Sequence, residues 1–539
     1  MIVKSKLKAA QPHEPIHITI LRRCLQFHAD DPEKKAYFSS IDNSDGVTFK
    51  QIRDYSLSLA SWFVENGFRK GDVLLLCMYN SWHFVVTCLG AWSAGLVVSP
   101  ASTLFTEYEL RYQLEDSTAK IIVTEESLLE KITKANSTGA KILCVSEKTA
   151  SADDFMNIVT KQRTSTAVPV PVKLENDLIL LSYSSGTTGA PKGVMLSHRN
   201  YAAALISYVI KFDDSYKALG LDGFVPPAHL MAFLPSYHAM GLFGTMFALH
   251  NGTTQITMKK FDLESLLRHL QDYNISSLGA VPSVVLAMAE SPILDNYDLS
   301  SLMMIATGGA PLSLKVVERL QKRLPHVQLF QGYGMTEMSI ASHISALGCP
   351  DGSVGQLLPN TEMKVISKTG KLCGPREQGE LWVRGPQVMK GYWRRPELSK
   401  DLFDSEGFMR TGDIVYYDDD GYTFICDRAK ELIKVNGKQV SPTELEDVLM
   451  AHPEITDCCV VGLPHDKYGE VPLAFIVAKS INEENIHAYI KERLAPYKRL
   501  RGGIQFLDTI PRTPSGKTMK RALKDDYLKK VKQTHKSRL

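Results

Sequence analysis

At 539 residues the chain exceeds one ordinary domain, so two or more folding units are expected. Hydrophobic residues make up 44% and charged residues 22%, a globular composition, and a formal net charge of +3 leaves no global basic field that would point to nucleic acid. Nine scattered cysteines without a C-x-x-C pair suggest a reducing compartment and argue against a disulfide framework. Residues 1–11 carry lysines but no apolar core, so no secretory signal is expected there. The longest apolar stretch, residues 84–98, is broken by Thr87, Gly90, Ser93 and Gly95 and reads as a buried helix, not a membrane span.

In chain order, Val47-Thr48-Phe49 leads into an amphipathic helix carrying Ile52, Leu57, Leu59, Ala60 and Phe63, which Asn66-Gly67 stops. Residues 73–77 read as a strand, 83–95 as a helix, and 97–99 and 121–123 as strands. Residues 178–181 form another apolar strand run, followed by strands at 231–234 and 255–258 with a turn at 235–241 between them. Helices are expected over 263–270 and 282–289, then strands at 303–306 and 327–330. This alternation predicts α/β layers around parallel sheet. Between 354 and 391 the runs become short and alternate with Gly and Pro, which suits a small antiparallel barrel or sheet. A hairpin turns at Asp418-Asp419-Asp420-Gly421, and the domain boundary is expected near 427–431. A compact α+β unit follows, with helices at 442–450 and 485–494 and strands at 458–462 and 473–478.

The most informative stretch follows the 178–181 strand. It holds Ser184, Ser185, Gly186, Thr187, Thr188 and Gly189, then Pro191, Lys192 and Gly193. Glycines let backbone N–H groups turn inward, hydroxyls donate and a lysine adds charge, so the loop can cradle phosphate. It is not a Walker A loop, because Gly186 and Gly189 are three apart and Lys192 does not follow a glycine. A second motif, Gln331-Gly332-Tyr333-Gly334-Met335-Thr336-Glu337, follows a strand, where open α/β sheets bind ligands. Taken alone, its Thr-Glu pair marks a helix start more often than a metal site. Further motifs are Gly308-Gly309-Ala310-Pro311, Tyr237-His238-Ala239-Met240-Gly241, Arg410-Thr411-Gly412-Asp413, the run from Asp427 to Val440, and Pro511-Arg512-Thr513-Pro514-Ser515-Gly516-Lys517. Each taken singly is an ordinary turn or linker.

Together, in this order over about residues 45–525, the motifs resemble the adenylate-forming superfamily of acyl-CoA synthetases, 4-coumarate–CoA ligases, firefly luciferases and peptide-synthetase adenylation domains. The resemblance implies an α/β fold: two α/β-sheet subdomains plus a small β-barrel over residues 1–427, a hinge at 428–430, and a smaller mobile α+β domain over 431–539. It implies ATP, Mg²⁺ and coenzyme A, with a carboxylic acid substrate activated as an acyl-adenylate and then transferred to the CoA thiol. ATP or AMP would be held by the 184–189 loop and Lys192, by Gly309 and Ala310, by Gln331, Gly332, Tyr333 and Thr336, and by Asp413 on the ribose. Glu337 would hold the metal. Arg428 would bind ribose or phosphate, and Lys430 would be the hinge. Lys434 and Gln439 would face the nucleotide in one domain orientation and Lys517 in another. Lys517, Lys434, Thr336, Glu337 and His238 form the implied catalytic set, Lys260 and Gly437 the implied CoA contacts, and His238, Met240 and Gly244 the implied acyl pocket. One departure is Asn436, where 4-coumarate–CoA ligases commonly carry lysine.

Phenylpropanoid ligases similar to this chain place tyrosine where Met240 stands, so a medium- to long-chain aliphatic acid is the expected substrate. The alternatives are a 4-coumarate-type aryl acid ligase, a luciferase-like oxygenase, an enzyme loading a carrier protein, and a non-catalytic adenylate or acyl-CoA binder. The terminal Ser537-Arg538-Leu539 is a variant of the S-K-L address, which implies a peroxisomal import receptor as partner and the peroxisome as location.

Overall fold

The computed structural model describes residues 2–42, 46–146, 154–161, 168–184, 191–218, 220, 222–428, 431–435, 438–465, 468–494, 496–514 and 516–536. The Ser185–Gly189 part of the phosphate loop, Lys430, Gly437 and the terminal Ser537-Arg538-Leu539 lie outside these residues.

The Phe49–Glu65 helix starts where a capping box forms: the Thr48 hydroxyl accepts from the Gln51 N–H, and the Gln51 side chain accepts from the Thr48 N–H. It lies on the Trp82–Ser93 helix, which is buried along nearly its whole length, in keeping with its mostly apolar sequence. Both cover a seven-stranded sheet. Its order is Gly391–Tyr392, Lys192–Ser197, Leu178–Ser184, Val97–Pro100, Val73–Cys77, Ile121–Glu125, Lys141–Val145. The last five strands are parallel; the 192–197 and 391–392 strands run antiparallel at one end. Val73–Cys77 is buried at every residue, as expected of a central parallel strand.

A second sheet orders His229–Ala232, Thr254–Thr257, Lys35–Ser39 and Gly46–Thr48. A third orders Ser277–Ala280, Met304–Gly308, Gln328–Tyr333, His343–Ile344 and Gln356–Leu357. The strand expected at 231–234 sits two residues earlier. Asn80 is the reason: its side-chain amide donates to the carbonyls of Ala232 (3.0 Å) and Leu234 (2.9 Å), and its oxygen accepts from the Ser236 N–H (2.8 Å). The chain therefore leaves the ladder after Ala232. The turn expected over 235–241 is also shorter, because a helix begins at Ala239 and runs to Asn251.

The short runs after 354 form an antiparallel five-stranded sheet: Val3–Lys4, Glu362–Ile366, Gly379–Arg384, Met409–Tyr417, Thr423–Arg428. Sheet membership changes after Arg428: Ile433–Val435 pairs with Lys438–Val440 and with Gly469–Ala478 in a separate sheet completed by Ile455–His465 and Ile504–Phe506. The Pro442–Met450 helix packs on this sheet. The two parts share an apolar cluster that joins Val316 and Leu320 to Leu445 and Leu449. The Arg319 guanidinium crosses the boundary to donate to the Met450 carbonyl (3.0 Å).

Candidate active site

The motifs converge because they sit at the ends of neighbouring strands. Leu178–Ser184 ends at Ser184, whose hydroxyl donates to Glu337 Oε1 (2.9 Å). Glu337 lies in a single 3₁₀ turn, Thr336–Met338, three residues past the Gln328–Tyr333 strand, and is 4% exposed. Tyr392, on the short strand beside Lys192–Ser197, donates its hydroxyl to the same Oε1 (2.9 Å). Burial and the Glu337 charge push the Tyr392 phenol well up, so it stays a donor. The Lys192 ammonium stands 5.6 Å from the Tyr392 ring centroid, a cation–π distance. Two hydroxyls thus hold one buried carboxylate at the end of the Leu178–Ser184 strand, with Lys192 beside one of them.

Next to this group, Gly308 at the end of Met304–Gly308 pairs with Gly332. Gly309 follows with φ +82°, a backbone that glycine adopts without strain, and Ala310 continues the turn. Gln331 is held by a reciprocal pair: its N–H donates to Ser345 Oγ (2.7 Å), and the Ser345 N–H donates to its carbonyl (2.8 Å). Tyr333 donates its hydroxyl to Asp413, a carboxylate that is 3% exposed. Asp413 lies opposite Arg428 in the ladder between Met409–Tyr417 and Thr423–Arg428.

His238 precedes the Ala239–Asn251 helix, at the end of the loop that Asn80 fixes. Burial, helped by the Lys517 charge, lowers its imidazole to about 4, so the ring is neutral at pH 7. The Lys517 charge thus lies close enough to act on His238. Lys517 lies in a tight turn in which the Thr513 hydroxyl accepts from the Lys517 N–H (3.1 Å). Gly516 there has φ +77°, and a Cβ on it would come 2.7 Å from Val281 and 3.0 Å from the Ser283 hydroxyl. The C-terminal domain therefore presses its lysine turn onto the start of the Pro282–Glu290 helix. Arg512 braces the turn with a two-pronged contact to Asp457 (2.6 and 2.8 Å).

Lys434 is not brought to this centre. It is exposed on Ile433–Val435, and its N–H donates to Glu470 (2.8 Å). Gln439 pairs opposite it in the same hairpin. Lys260 is exposed beyond the Thr254–Thr257 strand. On the Ala239–Asn251 helix the two glycines differ. A Cβ at Gly241 would lie 2.2 Å from the Pro235 carbonyl oxygen, so Gly241 serves close backbone approach; at Gly244 nothing lies within 4 Å. Sequence reasoning missed Tyr392, Asn80 and Ser345. A tyrosine after glycine in a short apolar run was the one available cue for Tyr392.

Strand-end hydroxyls, a buried carboxylate and lysines, with a smaller α+β domain that adds one more lysine, suit a phosphate-bearing ligand at the ends of the strands. The chain matches the AMP-binding enzyme family over residues 25–393 and the AMP-binding enzyme C-terminal domain over residues 444–517. It belongs to this adenylate-forming superfamily and is an AMP-forming acid–CoA ligase. Acyl-CoA synthetase 7 of Caenorhabditis elegans is 44% identical over 523 residues, covering 96% of this chain and 96% of the relative. Peroxisomal OPC-8:0-CoA ligase 1 of Arabidopsis thaliana is 36% identical over 499 residues, covering 90% and 89%. The ATP-bound crystal structure of MatB from Rhodopseudomonas palustris superposes with a TM-score of 0.84 at 28% identity, covering 95% and 99%.

Proposed function

We propose that the chain converts medium- to long-chain fatty or fatty-like acids to their CoA thioesters in the peroxisome. The substrate carboxylate attacks the α-phosphate of ATP, the α–β bond breaks and pyrophosphate leaves. The CoA thiol then attacks the acyl carbonyl and AMP leaves. Lys192 and the phosphate loop hold the phosphates, Thr336 contacts the α-phosphate, and Lys517 neutralises charge that develops there. Asp413, with Tyr333 fixing its carboxylate, accepts the ribose hydroxyls. Glu337 suits Mg²⁺: both hydroxyls donate to Oε1, and Oε2 takes no hydrogen bond among the described residues. No cluster of three His, Cys, Asp or Glu able to hold a metal occurs among the described residues, so the cation would share the phosphate oxygens. Bound there, it would supply charge neutralisation.

The observation that carries the substrate class is the open face of the Ala239–Asn251 helix. Met240, Gly244 and Phe247 share that face at i, i+4 and i+7. From Met240 to Phe247 the stripe runs about 10 Å along the helix at its usual rise, without a hydroxyl or charge. It ends in an aromatic group in which Phe247 meets Phe212 at 5.7 Å and Phe224 at 5.8 Å. The name of the peroxisomal relative points the same way. Among acids of about eight to sixteen carbons, at least one is expected to show a higher kcat/KM than 4-coumarate; the reverse order across the whole panel refutes the aliphatic reading. Gly244→Phe, placed in open space, is expected to lower kcat/KM for the longest acids by roughly tenfold or more while sparing the shortest. An unchanged chain-length profile would remove Gly244 from the acyl path.

The peroxisomal reading rests on Ser537-Arg538-Leu539. Deleting Leu539 from an N-terminally tagged protein is expected to leave it in the cytosol. Puncta that persist after the deletion would sink this location.

A further inference from the structure

Beside the reaction centre, and sharing Tyr392 with it, lies a second concavity of about 730 Å³. Its wall carries four cations, Lys390, Arg394, Arg395 and Lys400, and one acid, Asp404. Two of these charges are already matched. Arg395 is paired with Asp116 at 2.8 Å, and Asp404 is taken by the buried Lys364. Lys390, Arg394 and Lys400 have no acid and no side-chain hydrogen-bond partner among the described residues. All three are exposed, so water screens their mutual repulsion, but an anion entering the hollow would meet all three at once. Arg394 also holds a left-handed backbone, φ +53°, which an arginine rarely adopts. A solvated basic surface requires neither the hollow nor the strained backbone.

We propose that this hollow is a second, non-catalytic polyanion site that takes a diphosphate group, with Lys390, Arg394 and Lys400 as its charge. Met195 and Phe403 give it apolar walls, so the diphosphate is either inorganic pyrophosphate, a product of the reaction, or part of a nucleotide. Because Tyr392 lines the hollow and also donates to Glu337, an occupant lies one side chain from the reaction centre without replacing any group in it.

The test counts sites. Equilibrium dialysis of radiolabelled inorganic pyrophosphate against the full chain is expected to find two sites. The variant Lys390→Ala/Arg394→Ala/Lys400→Ala is expected to keep one, with the other weakened by at least about tenfold. Arg394→Gly, which relieves the backbone while removing the guanidinium, is expected to weaken the same site severalfold, so the conclusion does not hang on how the triple variant folds. Lys192→Ala is expected to weaken the catalytic site and leave the second one. Both cation variants should form acyl-adenylate at the parental rate at saturating ATP and acid. Repeating the dialysis with labelled ADP separates the sources: tighter pyrophosphate binding assigns the free product, tighter ADP binding a nucleotide. One site in the parent, two unchanged sites in the triple variant, or adenylation that falls in step with pyrophosphate binding each overturns the proposal.

Discussion

Lys517→Ala is expected to slow acyl-adenylate formation by roughly 10²–10³-fold, about 2.7–4 kcal/mol, the scale measured for loss of one donor at developing negative charge. Thioester formation from supplied acyl-adenylate and CoA is expected to stay close to the parental rate. The asymmetry follows from placement. The Lys517 charge lies close enough to act on the neutral His238, and its turn is wedged against Val281 and Ser283. Lys434, the lysine on the other side of the same domain, is exposed. A single small domain cannot present both to one centre at once, so the two lysines are expected to act in different half-reactions. Pyrophosphate exchange reads the first step, and thioester absorbance from synthetic acyl-adenylate reads the second. Equal loss in both steps would place Lys517 in a general structural role.

Much of the fold was legible in the chain. Val73–Cys77 and Pro442–Met450 have the bounds their patterns predict, because a continuous apolar run and a Ser-Pro helix start leave little freedom. The residues at the ends of Leu178–Ser184 and Gln328–Tyr333 could be named because a motif of fixed order follows each strand. What the sequence withholds is contact at long separation. Tyr392 meets Glu337 from 55 residues away, and Asn80 meets the Leu234 carbonyl from 154. No local period records either pairing. The Glu107–Ser117 helix was also hidden, since it buries only Leu110, Gln113, Leu114 and Ser117 and shows mostly charge. The Asn80 contacts explain the displaced strand as well: a side chain outside the segment ends its ladder.

Locking the two domains as they stand is expected to leave adenylation within about threefold of the parent and to cut thioester formation by roughly 100-fold, because the second half-reaction then lacks the rotation it needs. The lock can be built at Ser313 and Asp447. Ser313 caps the Leu314–Arg323 helix, accepting from the Lys315 N–H (3.3 Å), and lies beside the Asp447 carboxyl on the Pro442–Met450 helix. Nearby protein and the neighbouring Glu446 charge raise that carboxyl to about 6, although the residue itself keeps an exposed face. A Ser313→Cys/Asp447→Cys pair joined by a short methanethiosulfonate linker bridges the boundary, and a reductant releases it. The nine native cysteines require the parent and each single variant, treated identically, as controls. Full recovery of thioester formation after reduction, with adenylation steady throughout, is the expected pattern. Thioester formation that proceeds unimpaired in the bridged protein would mean that one domain orientation suffices for both steps, and the alternation of Lys517 with Lys434 would have to be abandoned.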